Sequence, residues 1–96
     1  MFDKMRYLTR GINAEVSTSI QMRLWNMIET MDPPKDYLQV FILEQLPDRI
    51  VKITHRQEEP EYENTVQVVG ELSSENLRIF VIDDGDYSTM LLASEY

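Results

Sequence analysis

The chain has 96 residues, 43% of them hydrophobic, enough for a single globular domain over residues 1–96 with a small core. Nine Lys and Arg against seventeen Asp and Glu leave a net charge of -8, which argues against a broad surface that tracks nucleic-acid phosphates. With no cysteine, disulfides, thiolate nucleophiles and Cys-ligated metal centres are excluded.

Asp3, Lys4, Arg6 and Arg10 interrupt the opening MFDKMRYLTR, so it lacks the apolar stretch of a secretory signal. The longest apolar runs, Val40 to Leu43 and Phe80 to Ile82, are far shorter than the roughly 20 residues of a membrane-spanning helix. A cytoplasmic location is expected, with no membrane or nucleic-acid partner.

In chain order, Tyr7, Leu8, Thr9 and Ile12 around Gly11 predict a short strand over 6–12. Residues 13–18 are rich in groups that hydrogen-bond locally. Thr18 with Gln21 fits a capping box, and Ser17 is an equally suitable cap. From there Ile20, Leu24, Met27, Ile28 and Met31 recur on one face at helical period, and Asp32-Pro33-Pro34 ends the helix. YLQVFILE at Tyr37 to Glu44 reads as a strand buried on both faces near its centre. The turn LPD at Leu46 to Asp48 leads to a second strand through Ile50, Val51, Ile53 and Thr54 toward His55 and Gln57, making a hairpin.

Glu58 to Glu63, with Pro60 among four glutamates, reads as a charged loop or protected edge. Strands follow over 65–69 and 77–82, separated by a polar link over 70–76. Asp84-Gly85 suits a type I′ hairpin turn, in which both central residues have positive φ. The last strand then runs over 87–93, with a terminal helical turn as the alternative. Short connections favour antiparallel neighbours. The expected fold is α+β: one amphipathic helix packed on a mainly antiparallel sheet of about five or six strands.

Candidate chemistry is sparse. His55 is the only histidine, and with Glu58, Glu59 or Glu61 it would form an acid-base or metal-binding set. The opposing reading is a strand-end histidine beside a solvated acidic loop. Asp83, Asp84 and Asp86 offer carboxylates to a hard cation, but consecutive acids do not match calcium-loop spacing. Gly11, Gly70 and Gly85 are isolated, so no phosphate cradle is present and no cofactor is expected. Lys4, Arg6, Arg10 and Arg23 surround Tyr7, a pattern better read as solvated strand flanks than as an anion site.

Interaction candidates are clearer. Trp25 lies beside the helical stripe and would anchor an interface if partly uncovered. Phe41, Leu43, Phe80 and Ile82 put apolar groups on both parities of their strands, so a sheet covered by one helix would keep an apolar second face for a protein partner or a second copy. Residues 1–48 carry five basic and seven acidic groups, net -2, and residues 49–96 carry four and ten, net -6. The acids gather at Glu58, Glu59, Glu61 and Glu63 and at Asp83 to Asp86, a surface that would steer a basic partner or imitate nucleic acid, or simply keep the protein soluble.

The segments FDKMRYLTRGIN at Phe2 to Asn13, LQVFIL at Leu38 to Leu43, HRQEEPEY at His55 to Tyr62 and VIDDGDYSTMLLASEY at Val81 to Tyr96 give the chain a full-length resemblance. It resembles a small Firmicute family of staphylococcal proteins of unknown function. The resemblance implies a stand-alone cytosolic protein of Gram-positive bacteria and carries over no activity. The expected function is a non-enzymatic protein-interaction module, with a small His55-dependent enzyme and an acidic nucleic-acid mimic as alternatives.

Overall fold

A computed structural model describes residues 2–96. Its strands are β1 (Met5–Leu8), β2 (Leu38–Leu46), β3 (Ile50–Gln57), β4 (Tyr62–Val69), β5 (Asn76–Asp83) and β6 (Tyr87–Leu92). Its helices are α1 (Arg10–Glu15) and α2 (Thr18–Thr30), and a 3-10 turn closes the chain at Ala93–Glu95. The sheet has six strands in the order β1-β6-β5-β2-β3-β4. Every pairing is antiparallel except β1 with β6, which is parallel, so the α+β expectation holds with a mixed sheet and two helices instead of one.

The second helix replaces part of the strand expected over 6–12. Thr9 ends β1 and caps α1, its hydroxyl accepting from the Ile12 amide at 3.3 Å. A side-chain cap so close to the strand end redirects the chain. Glu95 reinforces the change from the far terminus: its carboxylate accepts from the Thr9 hydroxyl at 2.6 Å, the Gly11 amide at 3.1 Å and the Leu92 amide at 2.8 Å. These bonds hold the Glu95 carboxyl below its ordinary range, the Thr9 hydroxyl contributing most and the Leu92 amide next.

Gly11 leaves room for this contact: a Cβ there would lie 2.7 Å from the Glu95 carboxyl carbon and the carboxylate would have to shift. Gly11→Ala therefore lowers the melting temperature in the wild-type background by expelling the carboxylate. In a Glu95→Ala background the same change has little cost, since alanine is the better helix former. A double-mutant cycle by thermal unfolding reads this difference, and additive effects would contradict it.

Ser17, not Thr18, is the N-cap of α2, its hydroxyl accepting from the Ile20 amide. Thr18 is the first helical residue, and the Gln21 side chain turns inward to donate to the Val16 carbonyl at 2.8 Å instead of completing a capping box. Ile20, Leu24, Met27, Ile28 and Met31 are all buried, as their spacing predicted. All of them except Met31 join Ile12 of α1 and the strand residues Phe41, Leu43, Val51, Ile53, Ile79, Val81 and Met90 around one core.

β2 is not buried on both faces: Gln39, Phe41 and Leu43 are buried, whereas Leu38, Val40 and Ile42 are half-buried. Asp48 and Arg49 adopt positive φ in the β2–β3 turn, and Gly70 donates its amide to the Arg49 carbonyl. The acidic loop is shorter than expected, with β4 already starting at Tyr62. In the β5–β6 turn the positive φ falls on Gly85 alone. The two-residue tip is therefore Gly85-Asp86, with glycine first as a type II′ turn demands, and not an Asp84-Gly85 type I′ turn. The last segment combines both expectations, a strand through Leu92 and then the 3-10 turn.

Candidate functional site

The two faces of the sheet differ in what covers them. Residues 39, 41 and 43 of β2 share the helix-covered side with residues 51, 53, 55 and 57 of β3 and 77, 79 and 81 of β5. The other side carries Leu38, Val40 and Ile42, then Phe80 and Ile82, then Leu91, in adjacent strands. Among the described residues, both helices bury side chains only in the first of these layers.

The open face is therefore an apolar band of half-buried residues on β2 and β5 that ends at the buried Leu91 of β6, edged by aromatic rings. Tyr7 stands edge-on to Tyr87 at 5.3 Å between centroids, and Tyr96 edge-on to Phe80 at 5.6 Å. Tyr7, Tyr87 and Tyr96 are all exposed. Toward β3 and β4 the band runs into a shallow groove of about 390 Å³ lined by Leu38, Val40, Arg56, Glu63 and Arg78 among others. Arg56 pairs with Glu63 at 3.4 Å.

Among the interaction candidates, Phe80 lies on this face, but Phe41 does not: it is fully buried on the covered side and stacks on His55 at 4.4 Å. Period-2 reading could not decide between them, because β2 is apolar on both parities. Trp25 is 8% exposed, with the Arg6 guanidinium 4.6 Å above its ring and that guanidinium paired to Glu29 at 3.2 Å. Cation and stripe together occupy the indole, so it presents no free anchor. The N-terminal basic cluster is divided: Arg6 turns to Trp25, while Tyr7 turns to Tyr87 on the opposite face.

His55 is fully buried, and no glutamate of the acidic turn bonds to it. Its Nε2 lies 2.7 Å from Gln39 Oε1, an oxygen that only accepts, so Nε2 carries the proton. Among the described residues Nδ1 has no hydrogen-bond partner, and the ring stacks on Phe41 and meets the half-buried Tyr62 edge-on. Burial pushes the imidazole pKa down to about 4, because a cation there would lose its hydration. The ring thus belongs to a buried polar ladder, not to a solvent-facing acid-base set.

Gln57 completes that ladder. Its Oε1 accepts from Gln39 Nε2 at 2.8 Å and from the Asp36 amide at 2.9 Å, while its Nε2 donates to the carbonyls of Pro60 at 2.9 Å and Pro34 at 3.3 Å. Glu58, Glu59 and Glu61 remain exposed in the turn beyond. The role of Gln39 and Gln57 was missed in the sequence, where two glutamines in alternating strands carry no motif. Their only signal was polarity at positions whose neighbours on the same face are apolar.

Asp83, Asp84 and Asp86 do not converge on a cation site. Asp83 Oδ1 accepts from the Gly85 amide at 2.6 Å and Oδ2 from the Phe2 amide at 2.8 Å, so this carboxylate ties the turn to the N-terminal segment. Among the described residues, no three His, Asp or Glu side chains are placed to hold a metal ion, and no helix is long and apolar enough to cross a membrane.

A protein of unknown function from Enterococcus faecalis has a similar crystal structure, with 25% sequence identity, a TM-score of 0.83, and coverage of 98% of this chain and 92% of that one. No curated protein matches the sequence. The family model described as Staphylococcal protein of unknown function (DUF960) matches residues 5–95, which span every strand and both helices, so the chain belongs to that family.

Proposed function

We propose that the protein is a non-enzymatic protein-interaction module of the cytoplasm whose contact surface is the open face of the sheet. The observation that carries this reading is the half-buried apolar band of Leu38, Val40, Ile42, Phe80 and Ile82, on which neither helix packs. A contiguous apolar patch is costly to leave in water and marks association sites. Its rim of tyrosines and arginines is the residue chemistry that dominates binding energy in protein interfaces. The buried state of His55 supports the non-enzymatic side of the proposal.

The test is capture of protein partners by the intact chain from a Gram-positive lysate at low and high salt, in parallel with Ile42→Lys and with Glu58→Gln/Glu59→Gln/Glu61→Gln. A partner bound through the open face persists at high salt and loses at least about tenfold in affinity to Ile42→Lys, with little change in melting temperature. A partner lost at high salt and in the triple glutamine variant alone would assign binding to the acidic turn instead. Retention by both variants would remove the open-face reading.

A further inference from the structure

We propose that the outer edge of β4 pairs antiparallel with β4 of a second copy, joining two six-stranded sheets into one. This goes beyond the open-face reading, because it uses backbone groups at the sheet margin and leaves the apolar band free. The two margins of the sheet are unequal. β1 has four residues, whereas β4 has eight, with no proline and one charged residue, Glu63. Natural sheets protect a long edge with proline, bulges, charges or a covering element. β4 stays in regular register with β3 from Tyr62 to Val69, so no bulge interrupts it.

The register identifies which groups are free. Gly70 donates to the Arg49 carbonyl, and residues 49 and 70 continue the β3–β4 pairing. Alternation along an antiparallel ladder then directs the amides and carbonyls of residues 62, 64, 66 and 68 toward β3. Those of Glu63, Thr65, Gln67 and Val69 point outward. Among the described residues, no hydrogen bond outside the β3 ladder reaches these outward groups.

A second copy fits this margin by charge. With Thr65 opposite Thr65 on a two-fold axis, Glu63 faces Gln67, so no like charges meet within β4. Glu63 is already paired with Arg56, Lys52 stands beside Gln67, and Glu71 just beyond the strand is paired with Arg49. Antiparallel pairing sends the two Glu58–Glu61 turns to opposite ends. The Asp83–Asp86 turn lies beyond β2 and β3 in the strand order. Within β4 the pairing therefore brings a single acidic residue per copy to the contact, in a chain whose net charge is -8.

Sedimentation equilibrium and residue-resolved amide exchange on the full chain test this. The wild type is expected to reach twice the 11.3 kDa of one chain as concentration rises to about 1 mM, a range that detects weak contacts. Exchange should slow at Glu63, Thr65, Gln67 and Val69 over the same range. Thr65→Pro removes an outward amide that the folded chain does not use, a position where edge strands tolerate proline. It should return the mass to one chain. Should Thr65→Pro fail to fold, Thr65→Glu/Gln67→Glu keeps the amides, sets carboxylate against carboxylate at positions 65 with 65 and 63 with 67, and should also give one chain. A wild-type mass of one chain at about 1 mM would overturn the proposal. So would a dimer that survives the folded edge variants, and loss of that dimer in Ile42→Lys would move the contact to the open face.

Discussion

Replacing Gln57 with leucine is expected to destabilise the protein by about 3 kcal/mol, a large fraction of the roughly 5–15 kcal/mol that holds a domain together. The shorter apolar side chain fills most of the space, but four partners lose their bonds at once: the Asp36 amide, the Gln39 side-chain amide and the carbonyls of Pro34 and Pro60. An orphaned buried polar group costs about 1–3 kcal/mol, and the groups near the surface recover water and cost less. For a chain of 96 residues this corresponds to a fall in melting temperature of at least about 12 °C. Chemical denaturation would read it as a lower midpoint with an unchanged slope. The exposed Gln67→Leu serves as the comparison and should move stability by less than about 0.5 kcal/mol. A loss below about 1 kcal/mol for Gln57→Leu would mean that the loops at Pro34 and Pro60 are held by other contacts.

Acidification is expected to destabilise the protein through His55, starting below pH 6.5. Burial lowers the folded pKa from 6.5 to about 4, so between these values the unfolded chain binds a proton that the folded chain refuses. Stability from this group is fully present above pH 6.5 and falls as pH drops toward 4. The loss is about 2 kcal/mol at pH 5 and about 3 kcal/mol at pH 4 relative to pH 7. Glu95 acts in the same direction at lower pH, since a carboxyl held below 4.5 in the fold loses its contribution as pH falls through that range. The two are separable because His55 acts above pH 5. Urea unfolding at pH 7 and pH 5 should show the loss in the wild type and not in His55→Gln, which is less stable at neutral pH but lacks the titrating ring. Equal losses in both proteins would place the acid sensitivity elsewhere.

Much of the fold was legible from local signals. α2 was visible because Ile20, Leu24, Met27, Ile28 and Met31 repeat at helical spacing and Pro33 and Pro34 stop the helix. The β2–β3 hairpin was visible because two branched-rich runs flank Pro47 and Asp48. α1 was not, because Gly11 and Ile12 favour a helix only once Thr9 and Glu95 supply partners from 86 residues apart. Local propensity is a weak prior that such contacts override.

The candidate site divides in the same way. An apolar second face was inferable from counting, since Phe80 and Ile82 alternate with Ile79 and Val81 and one face cannot hold them all. Which face stays open was not, and so Phe41 was placed on the surface when it belongs to the core. His55 drew attention as a lone histidine, yet its state depends on Gln39 and Gln57, brought beside it by the β2–β3 register.

By itself the sequence determined the acidic charge, the absence of thiol chemistry, the long helix and most strand segments, because each rests on composition or on a repeat of 2 or 3.6 residues. The tertiary structure alone decided that β1 joins the sheet in parallel beside β6, that the helices cover one face and leave Val40, Ile42 and Phe80 on the other, and that His55 is sealed in neutral form. These outcomes depend on contacts between distant segments, and a periodic pattern says that a strand has two faces without saying which one meets water.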